Sequence, residues 1–148
     1  MVTMTTHAAA QLDNGATAKA FILAGNARVT LVSGATGARF TYQIREKRID
    51  DDKTLHFVAL LTGPNNTDDY RFLGTIFDDT AYKHGRKSKV PDTAPSARAF
   101  AWVWRYLAAG EMPPNVEIWH EGRCGRCARA LTVPESIATG LGPVCATR

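Results

Sequence analysis

The chain has 148 residues, 45% of them apolar and 22% charged, with a formal net charge of +4 and three cysteines. That is enough for one hydrophobic core of ordinary size. No apolar run reaches the roughly 18 residues of a membrane span, and the N-terminus lacks the basic start and apolar centre of a signal peptide, so a cytoplasmic protein with reduced thiols is expected.

Charge is unevenly placed. Residues 1–79 carry 8 Lys and Arg against 9 Asp and Glu, whereas residues 80–148 carry 10 against 5. An anionic partner should therefore meet the C-terminal half.

Residues 1–18 are rich in Ala, Thr and polar side chains without sustained periodicity, which predicts a flexible leader. A core domain is expected over 19–118. In "RVTLVSGATGARFTYQI" two β-rich runs flank a turn in which Gly34 and Gly37 can take positive φ, and Phe40, Tyr42 and Ile44 alternate with Thr41 and Gln43, which predicts a hairpin. "LHFVALLT" is more continuously apolar, as an inner strand would be, and "YRFLGTIF" is a further strand. "GPNNTDD" between them supplies turn residues. Four successive strands with short polar links predict an antiparallel meander.

A helix is expected next. Pro95 and Ser96 mark its start, Gly110 stands past its end, and Pro113 and Pro114 prevent continuation. Phe100, Val103, Trp104 and Leu107 form one apolar stripe suited to covering the sheet. "NVEIWH" then predicts a short fifth strand ending at His120.

The last thirty residues hold all three cysteines. His120, Cys124, Cys127 and Cys145 read His-x3-Cys-x2-Cys-x17-Cys, and zinc takes four nitrogen or sulfur ligands of this kind. Two residues between Cys124 and Cys127 let both sulfurs meet one metal at about 2.3 Å, the arrangement of a zinc knuckle. A redox dithiol and incidental core cysteines are the alternatives. As fourth ligand His120 competes with His7, His56 and His84, and is preferred for its spacing. Thr132 and Glu135 match a capping box with Pro134 in the first turn of a short helix; Gly140 ends it, and Gly142 and Pro143 turn the chain back to Cys145. Four protein ligands leave no position for water, so the Zn2+ should be structural, and its binding energy should fold this appendix.

The tract "HEGRCGRCARALTVPESIATGLGPVC" resembles a small zinc-binding domain family of unknown function found in phages, plasmids and their hosts. The likeness lies in the Cys-x2-Cys knuckle, the "LT-P-S" step and Gly-x-Gly-Pro-x-Cys. It departs at Ala128, where glycine is expected, without losing a ligand. It covers residues 119–148 alone and implies a metal site and a mobile-element setting, but no activity.

Enzyme signatures are weak. A zinc deaminase keeps one metal position open and pairs its histidine with a glutamate two residues on, whereas Glu121 adjoins His120 and a third cysteine fills the open position. There is no phosphate-binding glycine loop and no nucleophile elbow. Asp50 to Asp52, Asp68 with Asp69, and Asp78 with Asp79 could gather magnesium, but each lies at a strand edge and reads better as a solvated turn.

Nucleic acid is the favoured partner. "KHGRKSK" carries Lys83, Arg86, Lys87 and Lys89 without an acid and is expected to be an exposed loop. Arg123, Arg126 and Arg129 surround the knuckle. Arg98, Trp102 and Arg105 fall at i, i+4 and i+7 of the helix, which would set an aromatic between two guanidinium groups. Basic charge with an interleaved aromatic holds phosphates and stacks bases; burial of Trp102 against another element is the plainer alternative. The expectation is thus an α+β protein, an antiparallel meander covered by one main helix with a C-terminal zinc knuckle, binding nucleic acid or a nucleoprotein complex without catalysis. The alternative is a phage or mobile-element anti-defence inhibitor of the anti-CRISPR type, which would bind a host defence nuclease by protein contact.

Overall fold

A computed structural model of the chain describes residues 10–12, 14–50, 53–63, 69–78 and 80–120. It is α+β, with seven strands and two helices: β1 (Ala10–Gln11), α1 (Gly15–Ile22), β2 (Asn26–Ser33), β3 (Arg39–Asp50), β4 (Lys53–Leu61), β5 (Tyr70–Phe77), β6 (Ala81–His84), α2 (Pro95–Ala108) and β7 (Val116–His120). The strands form one antiparallel sheet in the order β1-β7-β2-β3-β4-β5-β6.

Strands β2 to β5 are the expected meander. Leu31 pairs with Phe40, Val29 with Tyr42 and Ala27 with Ile44, so the alternation seen in the sequence becomes one apolar face. At the β2–β3 turn only one of the two glycines has positive φ: Gly37 lies at 74°. Gly34 serves a close approach instead, for its N–H donates to the Asn115 carbonyl at 2.8 Å and a Cβ there would run into the Asn115 side chain.

The sheet also grows beyond the meander at both ends. β6 continues it past β5, while β7 returns beside β2, where Val29 faces His120 and Leu31 faces Ile118. β7 includes Trp119 and His120, so the boundary expected at 118/119 falls inside a strand. A single covering helix is corrected to two. Residues 10–18, expected to belong to a leader, supply β1, the buried Leu12 and the first half of α1. Asn14 caps α1 by accepting from the Thr17 N–H at 3.1 Å, and Ala18, Phe21 and Ile22 turn inward at i, i+3 and i+4. The Lys19 ammonium donates to the Ala108 carbonyl at 3.0 Å, placing a cation at the negative end of α2.

Helix α2 starts and stops where expected, with Pro95 in its first turn and Gly110 at φ 77° beyond its end. Phe100, Val103, Trp104 and Leu107 are all buried. Phe100 meets the Tyr42 ring at 5.1 Å and the Tyr82 ring at 5.0 Å, and lies parallel to Trp104 at 6.3 Å. The Trp104 indole N–H donates to the Thr80 carbonyl at 3.0 Å, fixing α2 over the β5–β6 turn. The Tyr42 hydroxyl donates to the Ser96 carbonyl at 2.6 Å, fixing its other end over β3.

Burial holds the phenols of both Tyr42 and Tyr82 well above the ordinary tyrosine pKa of 10.0, with the second phenol adding to the shift at Tyr42. In the unfolded chain both ionise near pH 10, so the native state binds more protons there and its stability falls as pH rises. Unfolding followed by circular dichroism should thus show stability level up to about pH 9.5 and a steep loss above pH 10. Tyr42→Phe with Tyr82→Phe should flatten the loss; an unchanged alkaline limb would place its origin elsewhere.

Candidate nucleic-acid interface

The sheet has two unlike faces. Helices α1 and α2 cover the one formed by Ala27, Val29, Leu31, Tyr42, Ile44, His56, Val58, Leu60 and Ile118. Register assigns the opposite face. Arg28 pairs with Gln43, Arg45 with Phe57, Lys47 with Leu55, Phe57 with Thr75, Thr75 with Lys83, Leu55 with Phe77, Ala59 with Phe72, and Thr30 with Trp119. No described helix packs on that face. The unbroken apolar run of β4 is thus shared, with His56, Val58 and Leu60 under the helices and Leu55, Phe57, Ala59 and Leu61 on the other side.

Phe72 and Phe77 of β5 are 38% and 36% exposed, unusual for a strand's phenylalanines. Phe57 meets Phe72 edge-on at 6.1 Å. Cations stand over rings at two points, Lys83 Nζ 5.9 Å from the Phe77 centroid and the Arg28 guanidinium 5.8 Å from that of Tyr70. Arg45 and Lys47 are exposed on β3 beside this row. On β7, toward the other edge of the sheet, the Trp119 indole N–H donates to the Glu117 carboxylate at 3.0 Å.

The expected contact residues do not form one patch. Lys83 belongs to β6 rather than to a loop, and points to the helix-free face. Arg86, Lys87 and Lys89 are exposed on the turn that follows. That turn is tied down: the Gly85 N–H donates to the Leu73 carbonyl at 2.9 Å, the Ser88 hydroxyl to the Phe72 carbonyl at 2.8 Å, and His84 Nε2 to the Val90 carbonyl at 2.8 Å.

Arg98 and Arg105 are exposed on the outer side of α2, across the sheet from Lys83. Trp102, 37% exposed, meets Tyr106 at 5.0 Å. It lines a groove of about 220 Å³ with Leu31, Phe40, Val103 and Val116, smaller than the roughly 300–1,000 Å³ of ordinary ligand pockets. Arg123, Arg126 and Arg129 lie outside the described residues.

So do Cys124, Cys127 and Cys145. His120 is buried at the end of β7 with its ring 5.6 Å from Phe21. Of the acidic clusters, the described members Asp50, Asp69 and Asp78 stand at or just beyond strand ends, and the described residues include no group of three His, Cys, Asp or Glu that could hold a metal. Among them, too, no helix is long and apolar enough to cross a membrane.

The arrangement is that of an α+β domain with a helix-covered core, a basic edge and a second sheet face bearing aromatic and cationic side chains. Comparison with known proteins adds one finding: a family of unknown function, DUF6011, matches residues 119–148. No curated protein and no solved structure matches the chain.

Proposed function

We propose that this is a non-enzymatic, cytoplasmic nucleic-acid-binding protein with a structural zinc module at its C-terminus. The observation that carries it is the basic edge of the sheet. Lys83, Arg86, Lys87 and Lys89 follow one another along β6 and a turn held in shape by main-chain and side-chain hydrogen bonds. Asp92 is the single acid between residues 83 and 108, while Arg98 and Arg105 lie apart from this edge on the outer side of α2. A fixed turn presents its cations without a large ordering cost, which favours phosphate contacts over a merely solvated surface.

In the zinc module Cys124, Cys127 and Cys145 supply three thiolates and His120 the fourth ligand. The donor set fits zinc, and with His120 at the end of β7 a bound metal would tie the module to the sheet. The metal would close a segment too short for a core of its own.

Salt dependence tests the function. Each phosphate contact adds about −0.7 to the slope of log affinity against log salt on single strands and about −0.9 on duplex. Lys83→Gln, Arg86→Gln, Lys87→Gln and Lys89→Gln combined should flatten the slope by roughly 3 units and leave the urea midpoint nearly unchanged. An unchanged slope removes this edge from the interface.

A further inference from the structure

We infer that the helix-free face of the sheet is a stacking platform for single-stranded nucleic acid, with bases on Phe57, Phe72 and Phe77 and phosphates against Arg45 and Lys47 on one side and Lys83 on the other. This rests on the nucleic-acid function proposed above and narrows it to one class of ligand and one face.

The register carries the inference. Phe72, Phe57 and Phe77 descend the β4–β5 pair as one row, for Phe72 faces Ala59, Phe57 faces Thr75 and Phe77 faces Leu55. Phe57 and Phe72 are 6.1 Å apart, and Phe77 lies two residues beyond Thr75, the partner of Phe57, about 7 Å along the strand. An extended single strand can match such spacing with successive bases, whereas a duplex keeps its bases stacked and offers this surface only phosphates.

Cations flank the row on both sides. Arg45 faces Phe57 from β3 and Lys47 faces Leu55, while Lys83 stands beside Thr75 on β6 with its ammonium near the Phe77 ring. Among the described residues, the acids nearest the row stand at strand ends or on the other face: Asp50 ends β3, Asp69 precedes β5, Asp78 follows it, and Glu46 shares the helix side with His56. An acidic protein surface would match the cations but not a row of rings spaced along a strand. Phe72 also has a fixed seat, since a Cβ on Gly85 would strike its ring.

The test compares zinc-loaded wild type with Phe77→Ala and Phe72→Ala on a labelled single strand of about 16 nucleotides, long enough for one such surface, and on the matching duplex. Each ring removed should weaken single-strand binding about 5- to 100-fold, leaving duplex affinity within about twofold and the salt slope unchanged. Photocrosslinking of wild type to a bromouridine-substituted strand should give adducts within residues 70–77, a readout independent of whether a variant folds. Unchanged single-strand affinity in both variants, or adducts confined to residues 83–89 or 121–148, overturns the platform while leaving nucleic-acid binding standing. Self-association of the free protein that Phe77→Ala dissolves would assign the face to a second copy and overturn it too. Wild type that binds no nucleic acid would end the function and this inference together.

Discussion

Trp104→Ala is expected to lower the free energy of unfolding by about 3–5 kcal/mol, the range for removing a buried tryptophan. For a chain of this size that is a fall in Tm on the order of 10 °C. The indole is 1% exposed, lies parallel to Phe100 and donates to the Thr80 carbonyl. Alanine therefore opens a cavity beneath α2 and leaves that carbonyl without its donor. Trp104→Phe should keep much of the packing and lose the hydrogen bond, costing about 1–2 kcal/mol. Urea unfolding checks both, since the midpoint should move while the slope holds. Equal losses for the two variants would show that the hydrogen bond outweighs the volume of the ring.

The second large effect concerns the metal. Cys127→Ser should abolish stoichiometric zinc, because three remaining ligands cannot close a tetrahedral structural site. Apparent binding energies at such sites are about 10–16 kcal/mol and belong to folding of the module itself. The variant should become open to trypsin at Arg123, Arg126 and Arg129, while its sheet keeps the wild-type far-ultraviolet spectrum and an unfolding free energy within about 1 kcal/mol of wild type. Chelation of wild type should reproduce this. Collapse of the whole chain would show that the sheet depends on the metal through β7 and His120.

Much of the fold was legible in the sequence because its signals were local. The β2–β3 hairpin announced itself by the alternation of Phe40, Tyr42 and Ile44, and α2 by Pro95, Gly110 and the stripe from Phe100 to Leu107. Helix α1 escaped because half of its eight residues are Ala or Thr, a composition that reads as leader. The Asn14 cap and the spacing of Ala18, Phe21 and Ile22 were the signals available. β6 was hidden by its own charge, since "AYKH" runs straight into the basic turn and only pairing with Gly74 to Phe77 makes it a strand.

The aromatic face was not legible for a different reason. An apolar run such as "LHFVALL" fits a strand covered on both sides, and only sheet order and helix placement show that Leu55 and Phe57 face away from the helices. The sequence likewise offered Lys83 and the helix arginines to one partner, whereas the fold sets them on opposite sides of the sheet.

The most direct measurement is the affinity of the zinc-loaded wild-type protein for single-stranded and duplex nucleic acid from low to near-physiological salt. Micromolar or tighter binding that weakens steeply with salt, and favours the single strand, is the predicted result. No binding at low salt, or binding indifferent to salt, would contradict nucleic-acid recognition and turn the search to a protein partner such as a host defence nuclease.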